Sequence, residues 1–290
     1  MAILLTRETP CLVQGITGGQ GSYHARLMRQ YGTRIVAGTT PGRGGSQAEG
    51  TPVYDSVAEA VAAHPEIAAS AVWVPPRFAA DAVLEALAAG IRLVVVVSEL
   101  IPLHDAIAMR SAADAAGAIV IGGNTPGIIT PGQAKLGLAP PIAYSPGQVG
   151  VISRSGSLSY ETCNSLKLAG LGQSTVVGIG GDRVVGTPME RLLQLFQADP
   201  HTDAVVLLGE IGGLYEERAA NFIATMTKPV VAFIAGKSAP PGKRMGHQSA
   251  IIERGVGTWQ SKVAALTAAG AAVVDSPAQV GPRLRTILST

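Results

Sequence analysis

The strongest constraint on the fold of this chain is a regular alternation along its sequence. Short apolar runs rich in β-branched residues alternate with Ala- and Leu-rich stretches of helical periodicity. Continuous apolar runs are typical of strands buried on both faces, and a helix after each strand provides the crossover that parallel strands require. The pattern therefore predicts parallel sheets that are covered by helices on both faces.

The alternation falls into two series, separated by residues 122–147, which are rich in Gly and Pro. The first series predicts strands at 12–16, 34–38, 70–74, 92–97 and 118–121, and helices at 20–30, 57–63, 79–89 and 103–116. The second series predicts strands at 149–153, 175–179, 204–209, 230–235 and 272–274, and helices at 158–168, 189–196, 216–226 and 259–269. We interpret 122–147 as the connection between two doubly wound α/β domains, at residues 1–125 and 146–290.

The composition argues against several classes of protein. The 22 basic and 20 acidic residues give a net charge of +2, whereas a nucleic-acid-binding surface needs a basic stripe. The longest apolar runs, such as 93–97, have the length of strands and fall far short of a membrane span. Residues 1–10 lack the long apolar core of a signal peptide, and Cys11 and Cys163 lie in patterns typical of buried thiols. We therefore expect a cytoplasmic protein with free cysteines.

The first predicted strand runs into a glycine-rich loop that has the character of a phosphate site. Gly15, Gly18 and Gly21 form a GxxGxxG pattern immediately before a predicted helix. Glycine lets the backbone approach a phosphate, and the start of a helix offers N–H donors and a favourable dipole. The pattern alone does not separate a phosphate site from a tight turn without a ligand.

The end of the second predicted strand helps to choose the ligand. A NAD site needs Asp or Glu there for the ribose hydroxyls, and the sequence of residues 37–45, AGTTPGRGG, contains neither. It contains Arg43 instead. Beside a phosphate loop, a fixed cation suits a ligand with an additional phosphate, such as CoA or NADP. Taken alone, Arg43 is also compatible with a solvated loop.

His247 differs from the other four histidines, which fall in or beside helical patterns with polar neighbours. It lies in the loop after a predicted core strand, at the end of the segment GKRMGH (242–247). A neutral imidazole is a competent nucleophile toward a phosphoryl group, and Lys243 and Arg244 are able to neutralise phosphate charge nearby. The spacing alone leaves a structural histidine equally open.

Two further loops of the second series are candidates to converge with His247. The strand 149–153 is followed by the segment RSGS (154–157) and a helix, whose free N–H groups make another anion site. The strand 204–209 is followed by Glu210, and a carboxylate there is able to bind one imidazole nitrogen and fix the tautomer that attacks. An ordinary cap of the next helix is the alternative interpretation of Glu210.

Residues 236–238 resemble part of a nucleotide-binding P-loop but lack one of its required residues. Gly236, Lys237 and Ser238 follow a predicted strand like the end of a P-loop, but Val231 occupies the position of the required first glycine. The chain therefore has no recognisable ATP site of its own. A phosphorylated histidine needs a partner that supplies the nucleotide.

Together these loops resemble the α subunit of succinyl-CoA synthetase (succinate–CoA ligase) along essentially the whole chain. The matching segments are 15–21, 40–45, 124–132 (NTPGIITPG), 153–161 (SRSGSLSYE), 178–182 (GIGGD), 210–213 (EIGG) and 242–247 (GKRMGH). One such segment is weak evidence, whereas seven in the right order are specific. The resemblance implies an N-terminal Rossmann-like CoA-binding domain followed by a flavodoxin-like, doubly wound parallel-sheet domain that carries a phosphohistidine.

The resemblance also implies the chemistry. ATP or GTP, held with Mg²⁺ on an ATP-grasp β subunit, phosphorylates His247. The phosphoryl group then passes to a carboxylic acid such as succinate and gives an acyl phosphate. CoA displaces phosphate to form the thioester, as in the tricarboxylic acid cycle. Glu210 orients the histidine, and no metal ligand is implied on this chain. The assembly is αβ or (αβ)₂. The implied phosphate-binding residues are Ser155, Gly156 and Ser157, with Tyr160 near CoA and the acid. The implied CoA contacts are Thr17, Gly18, Gly19, Gln20, Arg43, Val97, Ser98, Glu99 and Asn124.

Several positions depart from the family pattern. The family usually carries Lys at the positions of Arg43 and Pro241, Cys at that of Thr125, and Ala-Gly at those of Gln248 and Ser249. These departures leave open a ligase for malate, citrate or another acid. Two functions of other classes also stay open, a Rossmann-type NAD(P) oxidoreductase and a CoA-binding module without catalysis.

Overall fold

The structure is a computed structural model that describes residues 2–240 and 242–289, so Pro241 lies outside the described residues. The described chain divides into two compact units. The first unit contains Leu4–Ala139 and Val184–Thr187, and the second contains residues 2–3, Pro140–Arg183 and the described residues from Pro188 onward. Each unit is built around a sheet of mainly parallel strands.

The sheet of the first unit has seven strands. They are β1 (Pro10–Gln14), β2 (Arg34–Thr39), β3 (Gln47–Ala48), β4 (Thr51–Tyr54), β5 (Ala69–Val72), β6 (Leu93–Val96) and β7 (Ile119–Gly122). The helices are α1 (Gly19–Tyr31), α2 (Val57–Ala63), α3 (Ala79–Ala88) and α4 (Leu103–Ala116). The order is β3-β4-β2-β1-β5-β6-β7, and only the pair β3–β4 among these described strands is antiparallel. Because the order reverses at β1, the ends of β1 and its neighbours border the crevice in which doubly wound sheets bind ligands.

The helices of this unit pack on the sheet through their apolar faces. In α3 the buried residues Ala79, Val83 and Leu87 recur at helical spacing, and they join a core that includes Leu12 of β1. Helix α1 ends at Gly32, whose φ of 118° is left-handed and favours glycine. The apolar alternation in the sequence therefore becomes the core that holds the strand ends in place.

Residues 122–147, which the sequence analysis interpreted as the connection between the domains, contain secondary structure that it did not predict. They contain an antiparallel hairpin of β8 (Gly127–Thr130) and β9 (Ala134–Gly137), and every residue of both strands is buried. The two strands are so close that a Cβ on Gly127 would lie 1.9 Å from the carbonyl oxygen of Leu136. Four-residue strands flanked by Gly and Pro carry too little periodicity to be recognised, which is why the sequence analysis did not predict this hairpin.

The second unit has five parallel strands in the order β14-β13-β12-β10-β11. They are β10 (Pro146–Ser153), β11 (Gln173–Gly178), β12 (Ala204–Glu210), β13 (Val230–Ala235) and β14 (Ala272–Val274). The helices are α5 (Gly156–Leu168), α6 (Met189–Ala198), α7 (Tyr215–Ile223), α8 (Trp259–Ala268) and α9 (Val280–Leu288), the last of which was not predicted. Read from β10, this is the flavodoxin-like order, and β10 lies between β11 and β12 at the reversal point. The two sheets confirm the predicted fold class.

None of the helices within residues 2–240 and 242–289 combines the length and the apolarity that crossing a membrane requires. Cys11 and Cys163 are free and buried, which confirms the prediction. Burial raises the pKa of the Cys11 thiol to about 12 and also raises the pKa of Cys163.

Candidate functional site

The glycine loop after β1 is shaped by close backbone contacts. Gly15 has a φ of +79°, and its N–H donates a hydrogen bond of 2.8 Å to the carbonyl oxygen of Thr39. A Cβ on Gly21 would lie 2.1 Å from the carbonyl oxygen of Gly15, so only glycine lets α1 start this close to the loop. The exposed residues at the start of α1 are Thr17, Gly18, Gly19 and Gln20. The loop therefore presents an accessible helix N-terminus, which attracts anions.

Arg43 lies beside this loop. The Oγ1 of Thr17 donates to Oγ1 of Thr40 at 3.0 Å, and the N–H of Arg43 donates to the carbonyl oxygen of Thr40, also at 3.0 Å. Thr17, Ser22, Arg43 and Ser46 contribute to the lining of a cavity of about 350 Å³. A guanidinium and the start of α1 thus border one cavity, and this set of groups fits the phosphates of a nucleotide-like ligand.

The other residues implied to contact CoA follow β6 and β7. The N–H of Val97 donates to the carbonyl oxygen of Val72 at 3.3 Å, and Glu99 is exposed. The N–H of Asn124 donates to the carbonyl oxygen of Ser98 at 2.8 Å, which brings these two residues together. Because β5 lies between β1 and β6, this second group stands further along the same carboxyl edge of the sheet.

In the second unit, the segment after β10 forms the start of α5. Ser155 caps the helix, since its Oγ accepts a hydrogen bond of 3.4 Å from the N–H of Leu158 and lies 3.3 Å from Oγ of Ser157. Gly156 is half-buried and Ser157 is exposed. Tyr160 follows one turn later; burial raises its pKa, and its ring packs edge-on against another tyrosine. The helix start is therefore open at Ser157.

The structure brings His247 and Glu210 together. Imidazole Nδ1 lies 2.7 Å from carboxylate Oε2. Glu210 ends β12, and the loop after β13 carries His247 to it. The ring also rests on Gly181, where a Cβ would lie 2.6 Å from Cγ of the histidine. With Nδ1 bound to the carboxylate, Nε2 is the nitrogen that is left to accept a phosphoryl group.

Two buried residues, to which the sequence analysis gave no individual role, complete this cluster. Nε of Arg154 lies 3.3 Å from Oε1 of Glu210, and Nη2 donates a hydrogen bond of 2.5 Å to Oγ of Ser249. The guanidinium carbon lies 4.7 Å from the centre of the Tyr215 ring. A signal for Arg154 was available, because it directly follows β10 and Glu210 ends the adjacent strand. For Ser249 the signal was weaker, namely its departure from the family pattern two residues after His247.

The environment raises the pKa of His247. The hydrogen bond to Glu210 is the largest cause, and the charges of Glu210 and Asp182 act in the same direction. Partial burial and the charge of Arg154 oppose the rise. The imidazole thus lies among groups of both signs, and their balance decides how much of it is neutral.

A second buried ion pair supports the main chain at Glu210. Lys262 and Glu216 are fully buried and their side chains are paired. Nζ of Lys262 also donates to Oε2 of Glu217 at 3.0 Å and to the carbonyl oxygen of Gly213 at 3.1 Å. Oε1 of Glu216 accepts the N–H of Glu210 at 3.1 Å. This arrangement holds both ends of the EIGG turn, and the sequence alone gave no sign of it.

The basic residues near the P-loop-like segment and before His247 lie at the surface. Nζ of Lys237 lies 2.8 Å from a carboxylate oxygen of Asp275. Lys243 and Arg244 are exposed. Lys237 thus has the contacts of a surface residue, while Lys243 and Arg244 are accessible to an anion.

Two family models match the chain, the CoA binding domain over residues 6–100 and the CoA-ligase family over residues 152–272. The chain is 54% identical over 288 residues to succinate–CoA ligase [ADP-forming] subunit alpha 2 of Archaeoglobus fulgidus, a match that covers 99% of this chain and 100% of the relative. It is 45% identical over 293 residues to the ADP-forming sulfoacetate-CoA ligase subunit SauD of Bilophila wadsworthia, covering 99% of this chain and 100% of that protein.

A solved structure with a similar fold is the ATP citrate lyase of Methanothrix soehngenii in complex with citrate and coenzyme A. The similarity covers 99% of this chain, with a TM-score of 0.89 and 28% sequence identity. This chain spans about half of the citrate lyase chain, 52% of its length.

Proposed function

Since this chain belongs to the succinate–CoA ligase α-subunit family, we propose that it forms an acyl-CoA, with succinyl-CoA as the first candidate, from a carboxylic acid, CoA and a nucleoside triphosphate. The observation that carries the proposal is the 2.7 Å contact between Nδ1 of His247 and Oε2 of Glu210. It directs one nitrogen to a carboxylate and leaves the other free for phosphoryl transfer. A CoA-binding module without catalysis has no use for this pair.

The proposed reaction proceeds by two transfers at His247. Its Nε2 bonds to the terminal phosphorus of the nucleotide, the bond to the bridging oxygen breaks, and the nucleoside diphosphate leaves. An oxygen of the acid then bonds to that phosphorus, and the N–P bond breaks to give an acyl phosphate. When CoA is bound, its thiol displaces phosphate from the acyl phosphate and the thioester forms.

In these transfers Glu210 has an electrostatic role as well as an orienting one. The ring gains positive charge when Nε2 bonds to phosphorus, and the carboxylate at Nδ1 stabilises that charge. We propose that the phosphoryl oxygens are bound at the start of α5 by Ser155, Gly156 and Ser157. Tyr160 is proposed to face CoA and the acid.

We propose that the first unit binds CoA at its carboxyl edge. The accessible start of α1 and the guanidinium of Arg43 border one cavity and suit the phosphates of the ligand. The proposed CoA contacts are Thr17, Gly18, Gly19, Gln20, Arg43, Val97, Ser98, Glu99 and Asn124. For the functional domains we keep the limits 1–125 for CoA binding and 146–290 for phosphoryl transfer.

The nucleotide is proposed to bind to a partner. The relatives named above are ADP-forming, which favours ATP over GTP. We propose an ATP-grasp β subunit that holds the nucleotide with Mg²⁺, in an αβ or (αβ)₂ assembly in the cytoplasm.

The acid is proposed to be succinate, with sulfoacetate and citrate as the competing candidates because relatives act on or bind them. The family departures beside His247 make internal contacts. Oγ of Ser249 lies 2.8 Å from the carbonyl oxygen of Gly181, and Oε1 of Gln248 accepts the N–H of Arg183 at 3.2 Å. Side chains engaged in this way are poorly placed to select an acid, so these two departures do not argue against succinate.

The test is formation of phosphohistidine by the complex of this chain with its β subunit, Mg²⁺ and ATP labelled in the γ-phosphate. We expect an acid-labile, base-stable label on this chain that is absent in His247→Ala. Discharge of the label by CoA with one acid from a panel of succinate, malate, citrate and sulfoacetate then identifies the substrate. A confirmed complex that acquires no label from ATP or GTP contradicts the proposal and leaves the CoA-binding module.

A further inference from the structure

The side chains of His247, Glu210 and Arg154 form a row that leads from the surface into the interior of the second unit. The exposed fraction falls from 28% for His247 to 8% for Glu210 and 0% for Arg154. Each contacts the next, with Nδ1 2.7 Å from Oε2 and Nε 3.3 Å from Oε1. The carboxylate therefore lies between an imidazole and a buried guanidinium, with one oxygen toward each.

A carboxylate that orients a catalytic imidazole also tends to protonate it. A negative charge at hydrogen-bond distance favours the imidazolium, and the imidazolium has no lone pair for attack on phosphorus. The charged groups that act on the ring are Glu210 at the end of β12, Asp182 after β11 and Arg154 after β10. Two of these three groups are carboxylates. Their combined effect has to be offset if His247 is to be neutral near neutral pH.

We propose that Arg154 is a positioning residue that fixes Glu210 and balances its charge, so that the carboxylate orients His247 without converting it into an imidazolium. The inference rests on the phosphoryl transfer to His247 proposed above. Arg154 is suited to this role because it is fully buried, so that solvent does not screen its charge.

Ser249 fixes the guanidinium against the carboxylate. Its Oγ accepts a hydrogen bond of 2.5 Å from Nη2 of Arg154, so its single proton is directed to an acceptor. Two acceptors are within reach, the carbonyl oxygen of Gly181 at 2.8 Å and Oε1 of Glu210 at 3.1 Å. The hydroxyl thus joins the arginine, the carboxylate and the loop on which the imidazole rests.

The direction of the pKa shifts supports the proposal. Glu210, mainly through its hydrogen bond, and Asp182 raise the pKa of His247, whereas burial and, to a smaller extent, the charge of Arg154 lower it. Removal of the guanidinium therefore raises the pKa further and reduces the neutral fraction of His247 at any pH below it. The acidic limb of the phosphorylation rate should move to higher pH.

The test compares Arg154→Met with the wild type in complex with the β subunit. The rate at which His247 is phosphorylated by ATP is measured across pH. We expect the midpoint of the acidic limb to rise by about one pH unit, which is about a tenfold loss of rate below the midpoint. The rate at high pH should fall by much less. A residue with only a structural role would reduce the rate by one factor at every pH and leave the midpoint unchanged, and this result overturns the proposal.

Two matched variants test whether the shift of the midpoint depends on the buried charge of Arg154 or follows the loss of any nearby positive charge. Arg183→Met removes an exposed arginine, with a side chain 42% accessible and paired with Glu253, and should move the midpoint by less than about 0.3 pH unit. Arg154→Lys keeps the positive charge and should restore most of the midpoint. If Arg183→Met moves the midpoint as far as Arg154→Met, the proposal is wrong.

A second measurement requires neither catalytic activity nor a folded Arg154→Met single variant. The titration of His247 is followed by NMR in the full chain for Glu210→Gln and for Glu210→Gln/Arg154→Met, in which both members of the buried pair are neutral. The double variant should titrate at the higher pH, because only Glu210→Gln retains the guanidinium. Equal midpoints overturn the role of Arg154. Absence of phosphohistidine in the wild-type complex would instead refute the proposed function, and the two failures are distinguishable.

Discussion

Removal of Lys262 from its buried ion pair should destabilise the second unit strongly. In Lys262→Met the carboxylate of Glu216, whose side chain is fully buried, loses its counter-ion. Breaking a buried pair by removing one partner costs about 3–5 kcal/mol, because an uncompensated charge remains in the interior. The carbonyl oxygen of Gly213 loses a hydrogen bond as well. With a urea dependence of about 2 kcal/mol per molar, the unfolding midpoint should fall by about 2 M.

The chain offers a reporter for this unit alone. Of its two tryptophans, Trp73 lies in the first unit and Trp259 begins α8, the helix that carries Lys262. In a Trp73→Phe parent, the fluorescence of Trp259 follows the unfolding of the second unit in urea. The free energy of unfolding is then compared between the parent and Lys262→Met.

Two further variants test whether the loss of stability comes from the uncompensated buried charge. Asp275→Asn removes the exposed ion pair with Lys237 and should cost less than about 1 kcal/mol, since solvent screens that pair. Lys262→Met/Glu216→Gln removes both buried charges and should recover at least half of the lost stability, because no uncompensated Glu216 remains. If Lys262→Met costs no more than Asp275→Asn, or if the double variant is no more stable than the single one, the reasoning from burial is refuted.

The remaining predictions concern the ligand site and the thiols. Gly21→Ala should weaken CoA binding more than tenfold in calorimetry, because its Cβ would lie 2.1 Å from the carbonyl oxygen of Gly15 and the loop must move; unchanged affinity would disprove the role of the loop. Arg43→Ala should weaken CoA binding about tenfold and bind 3′-dephospho-CoA as the wild type does, whereas His247→Ala should abolish turnover and change CoA affinity less than threefold; equal losses of affinity would contradict this division. Cys11 should resist alkylation at pH 8 in the native chain and react in urea, because burial raises the pKa of its thiol to about 12; rapid native labelling would show that it is accessible.

Most of the fold could be predicted from the sequence. The buried parallel strands are continuous apolar runs, and each predicted strand overlaps an observed one, as β12 does with residues 204–209. The family resemblance, inferred from seven segments in order, is confirmed by the two family models and by the relative that is 54% identical. The hairpin of β8 and β9 could not be predicted, because its strands depend on pairing with each other and on burial more than on local periodicity.

Part of the candidate site could also be predicted from the sequence, and part could not. In a doubly wound sheet, the glycine loop and the strand end that carries Glu210 lie at the carboxyl edge, so both could be predicted as parts of a site. A histidine nucleophile also needs a group that orients it, which made Glu210 a candidate partner of His247. Buried ion pairs follow no such rule. Lys262 belongs to a helix in which lysine is ordinarily exposed, and its burial depends on Glu216, which is 46 residues away in the sequence. Arg154 directly follows β10, so its place beside Glu210 could be inferred, but its burial likewise depends on that carboxylate. Such contacts are decided by tertiary packing, which a single sequence does not encode in any local pattern.

The glycines of the second unit illustrate how one sequence signal can have two physical causes. Gly181 belongs to the GIGGD segment, and Gly209 directly precedes the EIGG segment. In the structure, a Cβ on Gly181 would lie 2.6 Å from the ring of His247, and a Cβ on Gly209 would lie 2.6 Å from Oε1 of Glu216. Neither glycine needs a left-handed backbone, since neither has a φ in that region. They are small because the imidazole and the buried carboxylate occupy the space of a side chain. The same missing atoms that let a backbone approach a ligand therefore leave space for the imidazole of His247 and for the carboxylate of Glu216, both of which contact Glu210.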